Sequence, residues 1–234
     1  MDLSDWISDD YLGRLTPKSE GRFPGRDDND NGILFLAMIF MLKCKLKHPM
    51  QHSLVYDSIR ALEKERGLYH RRRISPEIYE AHDNYVGICA LSVIFGLVFA
   101  NDIVRYGEKN GYNYNNVEPG KYELKCQRQG GDIAFYKLCA GYKAEPWYVV
   151  WMVGGLIVSS LRSSPSEMNL GWLRFQTLGL LDIDSSFTKA VIKTGELIVD
   201  VIHWIKGKDQ LWAFANYYRP DHPVNVLAKE LYGA

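Results

Sequence analysis

Two aspartates stand at equivalent places before long apolar segments and are well suited to acid–base chemistry. Asp30 lies three residues before Ile33, where one apolar run begins, and Asp83 lies three residues before Val86, where another begins. If both runs form neighbouring inner helices, their amino ends share one rim and present two carboxyl groups to one cleft. Inverting glycosidases use such a pair, about 6.5–9.5 Å apart, as general acid and general base.

The glycosidase hypothesis assigns a role to each carboxyl group. Asp83 would protonate the leaving oxygen and Asp30 would activate water, although these two roles are interchangeable on the sequence alone. Glu118 is a third candidate acid. The alternative is that both aspartates only cap helices, because Asp and Asn are favoured N-cap residues. His82 and Tyr85 distinguish the second site, since capping requires neither of them.

Polar and aromatic side chains near these carboxyl groups would give a saccharide hydrogen bonds and ring faces. Most of them flank the two helix entries or lie in the long loop that follows the second hairpin. The candidate substrate-binding residues are His82, Asn31, Asn84, Tyr85, Tyr114, Asn115 and Trp172.

The sequence predicts neither a metal site nor a cofactor. Asp27, Asn29 and Asn31 match the first, third and fifth positions of a calcium loop, but the twelfth position is Met38 and not a bidentate Glu. A solvated acidic loop is therefore favoured over a calcium site. His82 has no second histidine at zinc-binding spacing, and the four cysteines form no C-x-x-C pair.

Length and composition predict one folded domain, residues 1–234, without a strong net charge. The chain is 47% hydrophobic, and its 28 basic residues balance its 28 acidic ones, which argues against a nucleic-acid partner. The longest apolar runs, residues 33–42 and 86–100, are shorter than the roughly 20 residues that span a bilayer. The acidic amino-terminal segment does not match a signal peptide.

Apolar periodicity predicts an all-α protein built from helical hairpins. In each hairpin an Asp-Asn entry leads into an apolar inner helix and then a more polar outer helix, for example residues 32–48 followed by 52–66. Residues 185–206 form the clearest amphipathic helix. The predicted sections are an amino-terminal helix and loop (1–31), two repeated hairpins (32–112), a long irregular loop (113–131) and further helices (132–234).

Tryptophans are concentrated in the second half of the chain. At helical spacing a tryptophan packs in the core more often than it faces a ligand, so we expect most of these rings to be buried. Trp172, which follows Gly171, is placed nearest to an opening. The residues concerned are Trp147, Trp151, Trp172, Trp204 and Trp212.

Three motifs carry a resemblance to known families: GRDDNDNGILF, EAHDNYVGI and YNYNNVEPGKY. Their order resembles that in uncharacterised tailed-bacteriophage proteins. The repeated polar entry into an apolar helix resembles the α/α toroids of glycoside hydrolases and polysaccharide lyases. This resemblance implies a toroid-like arrangement of hairpins, left incomplete because the chain is too short for a full ring.

The resemblance implies a saccharide-processing enzyme of the acid–base glycosidase type. The alternative is a non-catalytic structural or partner-binding protein, such as a bacteriophage virion component that recognises a glycan or another subunit. The expected partner is then a carbohydrate or another virion protein, and the expected location is the host cytoplasm or the virion. The structural alternative predicts a large exposed apolar or aromatic patch.

Overall fold

The computed structural model describes residues 32–50, 52–69, 82–112, 114, 130–162, 165–207 and 223–233. Helix accounts for 77% of the interpretable residues and strand for 3%, which confirms the all-α prediction. Closure of the hairpins into a toroid-like ring is still a prediction. Within the described ranges, no helix combines the length and apolarity needed to cross a membrane.

The described residues form nine helices and one short β-hairpin. In chain order they are α1 (Gly32–Leu46), α2 (His52–Leu62), β1 (Glu63–Glu65), β2 (Leu68–Tyr69), α3 (His82–Phe95), α4 (Phe99–Lys109), α5 (Gly130–Cys139), α6 (Pro146–Arg162), α7 (Pro165–Gly179), α8 (Ser186–Ile205) and α9 (Pro223–Tyr232).

Helix α1 is the centre of the core. Its side chains from Ile33 to Leu42 are each at most 6% exposed. A helix that is apolar on every side needs neighbours all round it, and α3, α7 and α9 pack against this one. The entry at Gly32 therefore leads directly into the interior of the protein.

Helices α1 and α3 run parallel, with their amino ends together. Gly87 of α3 lies so close to α1 that an added Cβ would be 2.8 Å from the carbonyl oxygen of Ile33. Further along both helices, the rings of Phe40 and Phe95 meet edge to face with their centroids 5.0 Å apart. The prediction that the two polar entries share one end of the fold depends on this parallel packing.

The predicted helix over 52–66 is too long, because the chain leaves the helix after Leu62. Strands β1 and β2 pair antiparallel around a turn in which Gly67 has φ +87°, a conformation that side chains disfavour. Beside this turn, Arg66 Nε donates to the buried carboxylate of Asp102 over 2.9 Å. The hairpin is thereby attached to α4.

The apolar run over 86–100 is not one helix either. It ends at Gly96, whose φ of +64° is that of a helix-terminating glycine, and Leu97 N–H donates to the carbonyl of Ser92 over 2.8 Å. Helix α4 then begins at Phe99. At its other end α3 begins at His82, so Asp83 and Asn84 are in the first helical turn and do not precede it.

Helices α5, α6 and α8 extend the structure outward from α3. Helix α5 packs on α3 and α6, and α8 is attached mainly through α6. Gly195 of α8 lies against Val153 of α6, and the Lys206 ammonium donates to the Leu161 carbonyl at the carboxyl ends of both helices. Helices α6 and α8 therefore run side by side in the same direction.

Candidate functional site

The proposed acid–base pair is only partly within the described structure. Asp83 is half-buried in the first turn of α3. Asp30 and Glu118 lie outside the described residues, as do Asn31 and Asn115. Because the amino ends of α1 and α3 are adjacent, the chain enters both helices at the same end of the fold. The separation of the two carboxyl groups is still a prediction.

The structure describes the side chain of Asn84 but not that of His82. His82 begins α3, and its side chain is outside the described part of the structure. Asn84 is 3% exposed, and its Oδ1 has no hydrogen-bond partner among the described residues. In this conformation the Asn84 side chain is therefore a core group and does not face solvent.

Tyr85 and Tyr114 lie in the core, where no saccharide reaches them in this conformation. They are 1% and 0% exposed, and their ring centroids are 4.7 Å apart. The Tyr85 hydroxyl accepts from the Tyr69 N–H, and the Tyr114 hydroxyl donates to the Ile103 carbonyl, each over 3.0 Å. Burial raises the pKa of both hydroxyls well above the ordinary value. Their observed role is to join α3, α4 and the β-hairpin.

Trp172 is half-buried on α7, close to α9. Its Nε1–H donates to the Tyr232 hydroxyl over 3.0 Å, a contact that joins the two helices. Contact of Trp172 with a saccharide is still a prediction. Among the described residues, no group of three or more His, Cys, Asp or Glu side chains is arranged to hold a metal ion.

A different feature of the described residues is an exposed apolar face on α6 and α8. We call it the outer apolar face. Three tryptophans are its most exposed rings, with Trp147 72%, Trp151 61% and Trp204 80% exposed. The expectation that most tryptophans pack in the core is wrong for these three. The other members of the outer apolar face are Val150, Val158, Leu161, Phe187, Leu197, Ile198, Val201 and Ile205.

The amphipathic helix α8 has its larger apolar side turned outward. Its inner side, which packs on α6, carries four buried residues, three of them small or short: Thr188, Ile192, Gly195 and Val199. Gly195 lets the two helices approach closely, because a side chain there would collide with Val153. Larger apolar residues such as Leu197, which is 64% exposed, are left on the opposite side.

The exposed stripes of α6 and α8 adjoin one another. Since the helices are parallel and each turn takes 3.6 residues, Ile198 and Ile205 fall on the side of α8 that borders the exposed side of α6. The charged residues Lys189, Lys193 and Asp200 occupy the opposite flank of α8. The outer apolar face is thus one surface with a charged border.

Comparison of the chain with protein-family models, with curated proteins and with solved structures found no match. The interpretation of both candidate sites therefore depends on their own residues.

Proposed function

We propose that this protein is a non-catalytic structural or partner-binding protein that joins a larger assembly through the outer apolar face. The observation that carries this proposal is the exposure of three tryptophans and eight other large apolar side chains on two adjacent helices. A contiguous apolar surface beyond about 300–600 Å² marks an interaction site more often than ordinary surface.

The size of the outer apolar face fits a protein partner. Whole aromatic side chains present about 150–250 Å² each, so the three tryptophans at the observed exposures contribute roughly 300–500 Å². With the other members, the area is on the order of 800 Å², at about 60–120 Å² for each fully exposed aliphatic side chain. Standard protein interfaces bury about 800 Å² on each partner.

The composition of this surface also favours a protein over a saccharide. Interface cores are enriched in aromatic residues and depleted of charge, with polar residues at the rim. The outer apolar face has this arrangement, since its charged residues lie along one border of α8. The resemblance to tailed-bacteriophage proteins makes a virion the assembly that we propose.

Site-specific photo-crosslinking tests this function. Benzoylphenylalanine would replace Leu197, and in a control it would replace Tyr142, which is 41% exposed in the loop before α6. In the cells that naturally produce the protein, we expect a discrete crosslinked product from position 197 and none from position 142. No product from position 197, or the same products from both positions, would contradict the proposal.

The glycosidase remains a second candidate, supported by the adjacent amino ends of α1 and α3. We propose for it that Asp83 and Asp30 form the acid–base pair. The test is hydrolysis of a glycan panel by the wild type and by Asp83→Asn and Asp30→Asn. Loss of a measurable wild-type activity in both variants, with folding retained, would support this candidate. Absence of wild-type activity, or equal activity in all three proteins, would eliminate it.

A further inference from the structure

We propose that a second copy of this chain covers the part of the outer apolar face that lies on α8, through antiparallel pairing of two α8 helices about a two-fold axis. This inference rests on the proposed function, because it names the partner for the same surface. It is carried by the spacing of the exposed residues of α8, by the charges beside them and by the apolar composition of the seam.

The exposed apolar residues of α8 follow a heptad repeat. Positions spaced alternately by three and four residues form the seam through which two helices pack in a coiled coil. All six positions of this seam in α8 are exposed in the structure, and five of the six residues are apolar. They are Phe187, Ala190, Thr194, Leu197, Val201 and Trp204.

Antiparallel pairing places these six positions opposite one another without a gap. With the two-fold axis between positions 195 and 196, Phe187 faces the partner's Trp204, Ala190 faces the partner's Val201 and Thr194 faces the partner's Leu197. The same three layers recur in reverse order across the axis. Large rings close both ends of the seam, and smaller side chains at the middle allow the helices to approach.

The charges beside the seam select the antiparallel direction. Lys193 and Asp200 each precede a seam residue on the same flank, and both are exposed. In an antiparallel pair these flanking positions face their counterparts, so Lys193 meets the partner's Asp200 twice by symmetry. In a parallel pair Lys193 would instead lie beside the partner's Ile198 and form no ion pair. Complementary charge of this kind fixes the orientation and register of an interface.

The composition of the exposed α8 residues agrees with a homodimer. An interface between identical subunits uses the same patch twice, so the seam residues of one α8 meet the same set of residues on the other. Homodimer interfaces are also more apolar than other protein interfaces. The seam is apolar at five of its six positions, and the charged residues Lys193 and Asp200 lie along its border.

Sedimentation equilibrium of the purified full-length protein provides the test. The variants are Lys193→Asp, Asp200→Lys, the double charge exchange and Lys189→Asp. The last is a matched control, because Lys189 is exposed on α8 but lies off the seam. Leu197→Asp tests the apolar centre, and circular dichroism would confirm that each variant is folded.

We expect a wild-type dimer whose dissociation constant rises about tenfold in each single charge variant, since two like-charge contacts replace two ion pairs. The double exchange should return the constant to near the wild-type value, and Lys189→Asp should leave it unchanged. Leu197→Asp should weaken the dimer by about 30-fold or more, as expected for a central interface residue.

Three results would overturn the inference. A wild type that stays monomeric while position 197 crosslinks to a different protein would refute the second copy and leave the proposed function standing. A monomeric wild type with no crosslink would refute both. If the wild type is a dimer but the double charge exchange has a dissociation constant as high as those of the single variants, the antiparallel register is refuted.

Discussion

Gly87→Ala tests the close parallel packing of α1 and α3 on which the position of both polar entries depends. A Cβ at this position would lie 2.8 Å from the Ile33 carbonyl oxygen and 3.0 Å from the Leu34 nitrogen. These are backbone atoms inside the core, so no rotamer change can relieve the contact. Either the two central helices move apart, or the variant retains an unfavourable steric contact.

The expected change in the free energy of unfolding of Gly87→Ala is the balance of two effects. Overpacking a core costs about 1–3 kcal/mol, and contact with backbone places this case near the upper end. Alanine in a helix interior recovers about 0.5–1 kcal/mol relative to glycine. The free energy of unfolding should therefore fall by about 2 kcal/mol, which corresponds to a decrease in Tm of roughly 4–8 °C for a chain of this size.

Gly155→Ala is the matched control. Gly155 lies in the interior of α6 and is exposed, and beyond its own stretch of helix no atom of the described residues lies within 4 Å of an added Cβ. This variant should be more stable than the wild type by about 0.5–1 kcal/mol, because only the helix-propensity effect operates. Urea denaturation followed by circular dichroism measures both. If Gly87→Ala is as stable as Gly155→Ala, α1 and α3 do not approach as described.

Three further predictions concern the core, the junction of α6 with α8, and pH. Tyr85→Phe should lower the free energy of unfolding, measured by urea denaturation, by about 1–3 kcal/mol, because the buried Tyr69 N–H loses its acceptor. Tyr69→Phe is the control. It removes a buried hydroxyl that has no hydrogen-bond partner in the described structure, and it should not destabilise the protein. Gly195→Ala should lower the free energy of local unfolding of α8 by about 1–3 kcal/mol and thereby accelerate amide hydrogen exchange in that helix. Unchanged exchange would contradict the close contact of α6 and α8. Lys137 donates to Glu145 over 2.8 Å and lowers the pKa of that carboxyl below its usual 4.5, so this pair stabilises the fold above pH 4.5 and stops doing so as the pH falls. The difference in the free energy of unfolding between wild type and Glu145→Gln should be small at pH 7, below about 1 kcal/mol. It should vanish once the pH falls below the lowered pKa of Glu145, and a difference that grows on acidification would refute the prediction.

The central helices are predictable because their sequences allow one interpretation. An unbroken apolar run such as residues 33–42 must be enclosed, and the repeated polar entry marks two such helices. The sequence does not reveal that the second apolar run is interrupted at Gly96, or that the predicted 52–66 helix ends at Leu62 and is followed by a β-hairpin. A glycine ends a helix or shapes a turn only where the surrounding structure holds it at positive φ, and that depends on tertiary contacts.

The burial of Tyr85 and Tyr114 and the exposure of Trp204 show a second limit of sequence reasoning. Periodicity identifies an apolar side of a helix, but it does not say whether that side faces the core of the same chain or another molecule. In α8 the small residue Gly195 allows close packing on α6, and most of the larger apolar residues remain outside. The heptad spacing from Phe187 to Trp204 was a sequence signal for this outward-facing stripe, because such spacing is typical of helix pairing.

Hydroxyl-radical footprinting of the native protein over a dilution series tests the account most directly, because it measures whether the outer apolar face is exposed in a single chain and covered in an assembly. Trp172, which is half-buried and hydrogen-bonded to Tyr232, is the internal reference. We predict that Trp204 is oxidised several times faster than Trp172 at high dilution and becomes protected as concentration rises. Slow oxidation of Trp204 at every concentration, equal to or below that of Trp172, would place the stripe inside the protein and contradict the proposed function.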